Sequence, residues 1–426
     1  MSSSPSPWRW IPTLYFAQGL PYVVVMTLAV IVYKNLGVSN TEVALYTSWL
    51  YLPWVIKPLW SPLVDLLGTK RRWIVGMQFL VGAALAGVAL CLPGSDFLRI
   101  SLAFFWLMAF ASATHDIAAD GFYMLALSQK SQAAFVGVRS TCYRLAMIAG
   151  QGALVYLAGL LTQKLGQPAT AWSWVFAGLA VGFGATAAFH AWALPRPAQD
   201  GPTAARAGGG GQGWSDFVTV IASFFRQPDI GRILAFLLLY RFAEAQLLKL
   251  VTPFLLDAPS AGGLGLQTQD VGIAYGTVGV AALTVGGLTG GWVISRWGLK
   301  RVFWPLMVCM HLPNGVFVAM AVWQPQDLMV ISLGLAVEQF GYGFGFAAYL
   351  VFMLMVAEAR DNPHKTAHYA LCTGFMALGM MLPGMAAGWI QTQLGYQNFF
   401  IWGCLATLPS FWAAARVRID PNFGQR

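Results

Sequence analysis

Apolar residues run along this chain in long blocks separated by short polar breaks, with neither the strict alternation of a half-buried strand nor the narrow stripe of a surface helix. A run of about 20 mostly apolar residues, coiled as a helix, matches the hydrocarbon thickness of a bilayer. The pattern predicts twelve such helices, over residues 10 to 33, 42 to 64, 73 to 93, 98 to 126, 134 to 162, 170 to 193, 229 to 256, 270 to 294, 302 to 323, 328 to 357, 366 to 391 and 396 to 415. Between the sixth and seventh lies Pro195 to Asp216, rich in Pro, Ala and Gly, which reads as a flexible linker. The expected architecture is an all-α membrane protein with an N-terminal six-helix bundle over 1–194, a cytoplasmic linker over 195–227 and a C-terminal six-helix bundle over 228–426.

Composition strengthens this reading. Hydrophobic residues make up 58% of the 426 positions and charged residues only 10%, with a mean hydropathy of +0.62, so the bilayer is the main solvent and little is left for a soluble domain. The net charge of +9 does not point to nucleic acid, because the basic residues gather in alternate short loops, among them Lys70 to Arg72, Lys130, Arg196 and Arg226, Arg296 to Arg301, and Arg416 to Arg426. That is the positive-inside pattern of an inner-membrane protein, which puts both termini and the central linker in the cytoplasm. The first apolar run is too long for a signal-peptide core and is expected to stay. Five scattered cysteines and five histidines lack metal-ligand spacing, so no cofactor or metal is expected, and the protein is read as a monomer.

The two halves repeat. Ser61-Pro-Leu-Val-Asp65-Leu-Leu-Gly68-Thr-Lys70-Arg71 follows the second predicted helix, and Gly291-Trp-Val-Ile-Ser295-Arg296-Trp-Gly298-Leu-Lys300-Arg301 follows the eighth, 230 residues later. Both resemble the loop motif of the major facilitator superfamily, G-x-x-x-D-R-x-G-R-K/R, at the places where that family carries it. The resemblance implies a transporter whose glycines make tight cytoplasmic turns and whose acid and basic clusters latch neighbouring helices. Ser61 and Ser295 depart from the motif, the second in place of its acid, which implies a weaker latch in the second half.

Charge inside a spanning helix is costly and marks function. Here it comprises Lys57; Asp116 and Asp120, four apart and so on one helix face; Arg139 and Arg144; Arg241, Glu244 and Lys249; and Glu338. Arg139, near a helix end, reads as snorkelling to the surface, and Arg241 with Glu244 can also be read as a purely structural pair. Several cations in one cavity suit an anionic solute. Burial disfavours an ionised carboxylate and a nearby cation favours it, so Asp116, Asp120, Glu244 and Glu338 are candidates to exchange a proton, with the proton gradient as the driving force. Tyr143 and Tyr240 are candidates to stack on a sugar or base. The glycine runs at 208 to 213 and Gly341-x-Gly343-x-Gly345 lack the strand and Gly-Lys-Ser/Thr of a nucleotide loop, and the second is expected to bring helices close together.

The segments YFAQGLPY (15 to 22), LPWVIKPLWSPLVD (52 to 65), SATHDIAADGFY (112 to 123), YRLAMIAGQGAL (143 to 154) and HYALCTGFMALGMMLPGMAAGW (368 to 389) are similar to the superfamily branch that holds the AmpG muropeptide permeases and the acetyl-CoA transporters. That resemblance implies proton-driven import of anhydromuropeptides or related amino sugars for recycling, and points to Lys57, Asp116 and Asp120 by position. The family pattern continues Ala-Tyr-Arg after its second Asp, whereas Asp120 is followed by Gly121-Phe122-Tyr123, so a cation is missing. Another anionic solute, such as a siderophore or acetyl-CoA, is the alternative. A sensor lacks a signalling domain, and an acyltransferase would need His115 and Asp116 as a catalytic pair. The expectation is therefore a transporter rather than an enzyme.

Overall fold

A computed structural model describes residues 6–198, 200–201, 212–358, 365–421 and 423, which form helices and their connections with no strand among them. In chain order these are α1 (Ile11–Val23), α2 (Asn40–Trp49), α3 (Leu52–Leu66), α4 (Lys70–Cys91), α5 (Phe97–Ala126), α6 (Gln129–Ile148), α7 (Pro168–Ala193) and α8 (Gln212–Phe225). They continue as α9 (Ile230–Leu239), α10 (Phe242–Leu256), α11 (Val280–Trp297), α12 (Leu299–His311), α13 (Leu328–Glu358), α14 (Lys365–Leu405) and α15 (Leu408–Ala414). Among the described residues nine helical runs are long and apolar enough to cross a membrane. The last, Ala367–Ala414, covers two of the predicted spans and is broken at Gly395, whose φ is +73°. The predicted spans 42 to 64 and 229 to 256 are each interrupted, between α2 and α3 and between α9 and α10. Pro53 at the start of α3 has no N–H to carry a helix through the first break.

The chain forms two compact units, Met1–Leu36 with Ile56–Gly210, and Gly37–Val55 with Gly211–Arg426. In the first, Trp10, Tyr15, Ile74, Phe122 and Tyr123 form a core shared by α1, α4 and α5. Beside it runs a polar chain across four helices, exposed at Thr13 and buried at His190, Gln78 and His115. Thr13 Oγ1 lies 2.9 Å from His190 Nε2, His190 Nδ1 lies 2.9 Å from Gln78 Oε1, and Gln78 Nε2 lies 3.0 Å from His115 Nε2. With Gln78 accepting from one ring and donating to the other, each link runs donor to acceptor, which these groups need at a depth where water is scarce. The chain sets the rotation of α5, which carries Asp116 and Asp120.

In the second unit, α2 is held through Asn40, whose Nδ2 donates to Gln391 Oε1 and to the Tyr396 hydroxyl, each at 2.9 Å, while the Tyr396 hydroxyl donates to Asp257 Oδ2 at 2.6 Å. These contacts, in addition to the proline break, are why the first part of the predicted second span packs with this unit. The glycines of the Gly341-x-Gly343-x-Gly345 run divide between two neighbours. A Cβ on Gly343 would strike the Leu283 carbonyl on α11, and one on Gly341 or Gly345 would strike carbonyls of α12. Both faces of α13 thus pack backbone against backbone, which is the close approach expected of the run. Large apolar side chains left exposed, such as Leu90, Val181, Leu312 and Trp323, suit contact with lipid.

Both loop-motif glycines adopt positive φ, +86° at Gly68 and +77° at Gly298, and each precedes a helix. Downstream, each helix is capped by the segment that ends its half. The Asp200 carboxylate accepts from the backbone N–H of Lys70 at 2.7 Å and of Arg71 at 3.1 Å, so the stretch read as a flexible linker is tied down at its start. Arg71 also donates to the carbonyls of Ala191 and Leu194 at the end of α7. In the second unit the Phe423 carbonyl accepts from Leu299 N at 3.1 Å. There Arg296, Lys300 and Arg301 are exposed, while the Asp65 side chain of the first copy lies outside the described residues. At Gly298 the pair φ +77°, ψ 150° is nearly closed to side chains. Gly298→Ala is expected to cost roughly 1–3 kcal/mol. Gly291→Ala, where an added Cβ meets nothing within 4 Å, is expected to be close to neutral; thermal unfolding of both variants in detergent checks the contrast.

Candidate functional site

Charged residues of the spanning helices come together in each unit, Lys57, Asp116, Asp120 and Arg139 in the first and Arg241, Glu244 and Glu338 in the second. In the first, α3 and α5 bring Lys57 Nζ to 2.5 Å from Asp116 Oδ2, and Gln18 of α1 donates to Asp116 Oδ1. One turn along α5, Asp120 Oδ1 lies 2.7 Å from Arg139 Nη2 of α6, with the Tyr15 hydroxyl 3.5 Å away. The Arg139 guanidinium stands over the rings of Tyr15 and Tyr123, at 4.5 Å and 5.5 Å. Two acids on one helix face therefore meet two cations from neighbouring helices, a ladder in which each charge has its counter-ion. Its members keep 20 to 39% exposure, so the ladder is partly accessible rather than sealed in the core.

Arg139 is where the sequence reading needs correcting. It does not snorkel; it supplies Asp120 with a cation from α6, where the family pattern would have placed one on the same helix. Gln18 and Tyr15 also join the site, and both fall in the YFAQGLPY segment that carries the resemblance. Tyr143 and Arg144, also on α6, are half-buried. Tyr143 borders Gly19 of α1, and is within electrostatic reach of Asp116, Asp120 and Arg144. His115 turns to Gln78 while Asp116 turns to Lys57 and Gln18, so these neighbours do not form the pair an acyltransferase needs.

The second unit carries a different arrangement. Arg241 sits at the break between α9 and α10, donates to the Tyr342 hydroxyl and lies over the rings of Tyr342 and Phe346, at 5.3 Å and 4.9 Å. Glu244, three residues on, is 1% exposed, and neither of its oxygens accepts a hydrogen bond. Glu338 of α13, 2% exposed, accepts from Gln339 Nε2 at 2.8 Å and is within electrostatic reach of Glu244. Lys249 donates to Thr47 Oγ1 at 3.0 Å and lies 5.2 Å from the centre of the Tyr51 ring. Tyr240 stands apart from these, stacked on Tyr349 at 4.8 Å with its hydroxyl given to the Gly345 carbonyl at 3.0 Å, inside the aromatic core of the unit. Among the described residues no group of His, Cys, Asp and Glu has the arrangement to hold a metal ion.

A family model described as the Major Facilitator Superfamily matches residues 13–362. The chain is similar to the anhydromuropeptide permease of Escherichia coli K12, with 26% identity over 413 residues, 93% of this chain and 76% of the relative. It is 22% identical to a putative transporter, AmpG 2, of Rickettsia typhi, over 84% of this chain and 83% of the relative. Among solved structures, a mutant of the nucleoside transporter NupG shares the fold with a TM-score of 0.72 at 15% identity, covering 96% of this chain and 99% of that one.

The ladder predicts its own response to substitution. Because breaking one side of an ion pair leaves an uncompensated charge, Arg139→Leu is expected to destabilise the protein more than the double variant Arg139→Leu with Asp120→Asn. The coupling energy expected from the double-mutant cycle is roughly 0.5–3 kcal/mol, measured by thermal unfolding in detergent.

Proposed function

The chain belongs to the Major Facilitator Superfamily and is a multi-pass inner-membrane transporter; from that premise we propose that it imports anionic sugar-peptides of cell-wall turnover, coupled to protons, by alternating access. The observation that carries the anion reading is Lys249. A cation 4% exposed, whose neighbours are a neutral hydroxyl and an aromatic ring, lacks the negative charge that burial demands. Arg144 likewise makes no ion pair with a described carboxylate. An anionic solute completes such a site, and a small solute is what this superfamily moves.

The substrate class rests on the similarity to the anhydromuropeptide permease across 93% of the chain, and on the presence here of Lys57, Asp116 and Asp120. We extend the reading to topology. The nine apolar runs, with Ala367–Ala414 counted as two spans divided at Gly395 and the interrupted pairs α2–α3 and α9–α10 as one each, make twelve. The basic loops then put both termini in the cytoplasm.

Purified protein in vesicles is expected to accumulate labelled anhydromuropeptide when an inward proton gradient is imposed, and not without it. Lys249→Gln is expected to raise KM by roughly 10- to 150-fold, since hydrogen bonds to charged groups contribute about 1.5–3 kcal/mol. Acetyl-CoA, ferric siderophores and free MurNAc offered to the same vesicles test the alternative. Preferential accumulation of one of these would replace the sugar-peptide reading, and an unchanged KM for the Lys249 variant would remove the anion argument.

A further inference from the structure

We propose that a cavity beside α8, in the second unit, holds the headgroup of a zwitterionic aminophospholipid, with Arg226 taking its phosphodiester and Glu358 its ammonium. The cavity has a volume of about 790 Å³, within the range of small-molecule sites, and Arg241, Glu244, Lys249 and Glu338 are not among its walls. Those walls come from the end of α8, the start of α9, the end of α13, His368 of α14 and the segment after α15. His368, 3% exposed, joins two of them, since its Nδ1 accepts from Gln227 Nε2 at 2.9 Å and its Nε2 lies 2.9 Å from Ser223 Oγ. Each end of the ring is thereby fixed, and the wall is built rather than incidental.

The charges define the ligand. Among the described residues three arginines and three acids line the cavity, so it is electrically balanced, which argues against a purely anionic guest. Asp229, in the left-handed region at φ +60°, already pairs with Arg232 at 3.0 Å and Arg418 at 3.3 Å. Arg226 and Glu358 have no ion-pair partner among the described residues. A single exposed charge marks nothing by itself. Here one of each sign borders the same cavity, from the ends of two helices, too far apart to neutralise each other. A phosphodiester with an ammonium on a short linker answers both, the guanidinium offering a fork to the phosphate oxygens and the carboxylate accepting from N–H. Ile233, Phe352, Val356 and Val417 form an apolar wall that suits the glycerol and first methylenes of a lipid better than a bare ion.

The position of α8 brings the bilayer to this cavity. Its 14 residues rise roughly 21 Å, short of a hydrocarbon core about 30 Å thick, and the next spanning segment opens four residues later at Ile230. Phe224 fastens α8 to α14, buried against Phe375 at 6.1 Å and His368 at 5.3 Å. Val218 and Phe225, seven apart and so on one face, are 50% and 45% exposed. An amphipathic helix fixed on one side and apolar on the other lies along the membrane surface, at the depth of lipid headgroups.

The test is native mass spectrometry of the full chain, delipidated in detergent and titrated with phosphatidylethanolamine, phosphatidylcholine or phosphatidylglycerol. The choline headgroup keeps the charges but has no N–H to give Glu358, and the glycerol headgroup has no cation. Wild type is expected to bind the ethanolamine lipid roughly two- to fivefold more tightly than either, the scale of a partly exposed ion pair. Glu358→Gln is expected to lose that preference, and Arg226→Gln to weaken both zwitterionic lipids by a similar factor. Both side chains are exposed, and unchanged thermal unfolding checks that the variants fold. Equal binding of the three lipids by wild type, or a preference indifferent to both substitutions, overturns the assignment. Displacement of the lipid by an equal concentration of glycerophosphoethanolamine overturns it in favour of a soluble zwitterion.

Discussion

Everything distinctive about this protein follows from the cost of placing charge in an apolar medium. Water would screen Asp116 and Lys57; between helices they must find each other, and they do so at 2.5 Å. The same constraint draws Arg139 inward to Asp120 over two tyrosine rings, and leaves Glu244, which has no such partner, as the exception in the opposite unit. Satisfied charges hold a structure, whereas an unsatisfied one marks where the molecule exchanges something with its surroundings. The first unit therefore carries a closed ladder and the second an open set of groups.

Neutral polar groups obey the same rule at lower cost. The Thr13, His190, Gln78 and His115 chain ties four helices together without a formal charge, and so fixes the face that α5 turns to its ladder. Backbone groups at helix starts follow suit. The amides that open α4 and α12 are capped by Asp200 and by the Phe423 carbonyl, each from the segment that closes its own half. The twofold repeat visible in the loop motifs thus extends to how each half ties down its third helix, although one cap is a side chain and the other a carbonyl.

Close packing supplies the rest. In the second unit α13 meets α11 through Gly343 and α12 through Gly341 and Gly345, so that carbonyls face helix backbones with no Cβ between. Without a hydrophobic drive between helices in lipid, such contact area and the polar links are what hold the bundle together. The Glu338 site lies on the same helix, so the most tightly packed element of the unit also carries part of its chemistry.

The sequence by itself determined the helical class, the apolar blocks and the repeated motif whose glycines adopt positive φ. These are properties of period, composition and local backbone chemistry, and each residue carries them regardless of its distant neighbours. It also pointed to the charged residues, since charge in an apolar block stands out wherever the chain goes. It did not determine partners. Arg139 was legible as a charge near a helix end, yet only packing of α6 against α5 decided that it meets Asp120 rather than water. Tyr240 was legible as a polar aromatic, and packing put it in a core with its hydroxyl occupied. The break at Leu50 and Tyr51 lies beside Pro53 in the sequence, but the association of α2 with the second unit through Asn40 depended on Gln391 and Tyr396, more than 300 positions away. Partner choice is a matter of distance in space, and spacing along the chain carries that information only within a single helix.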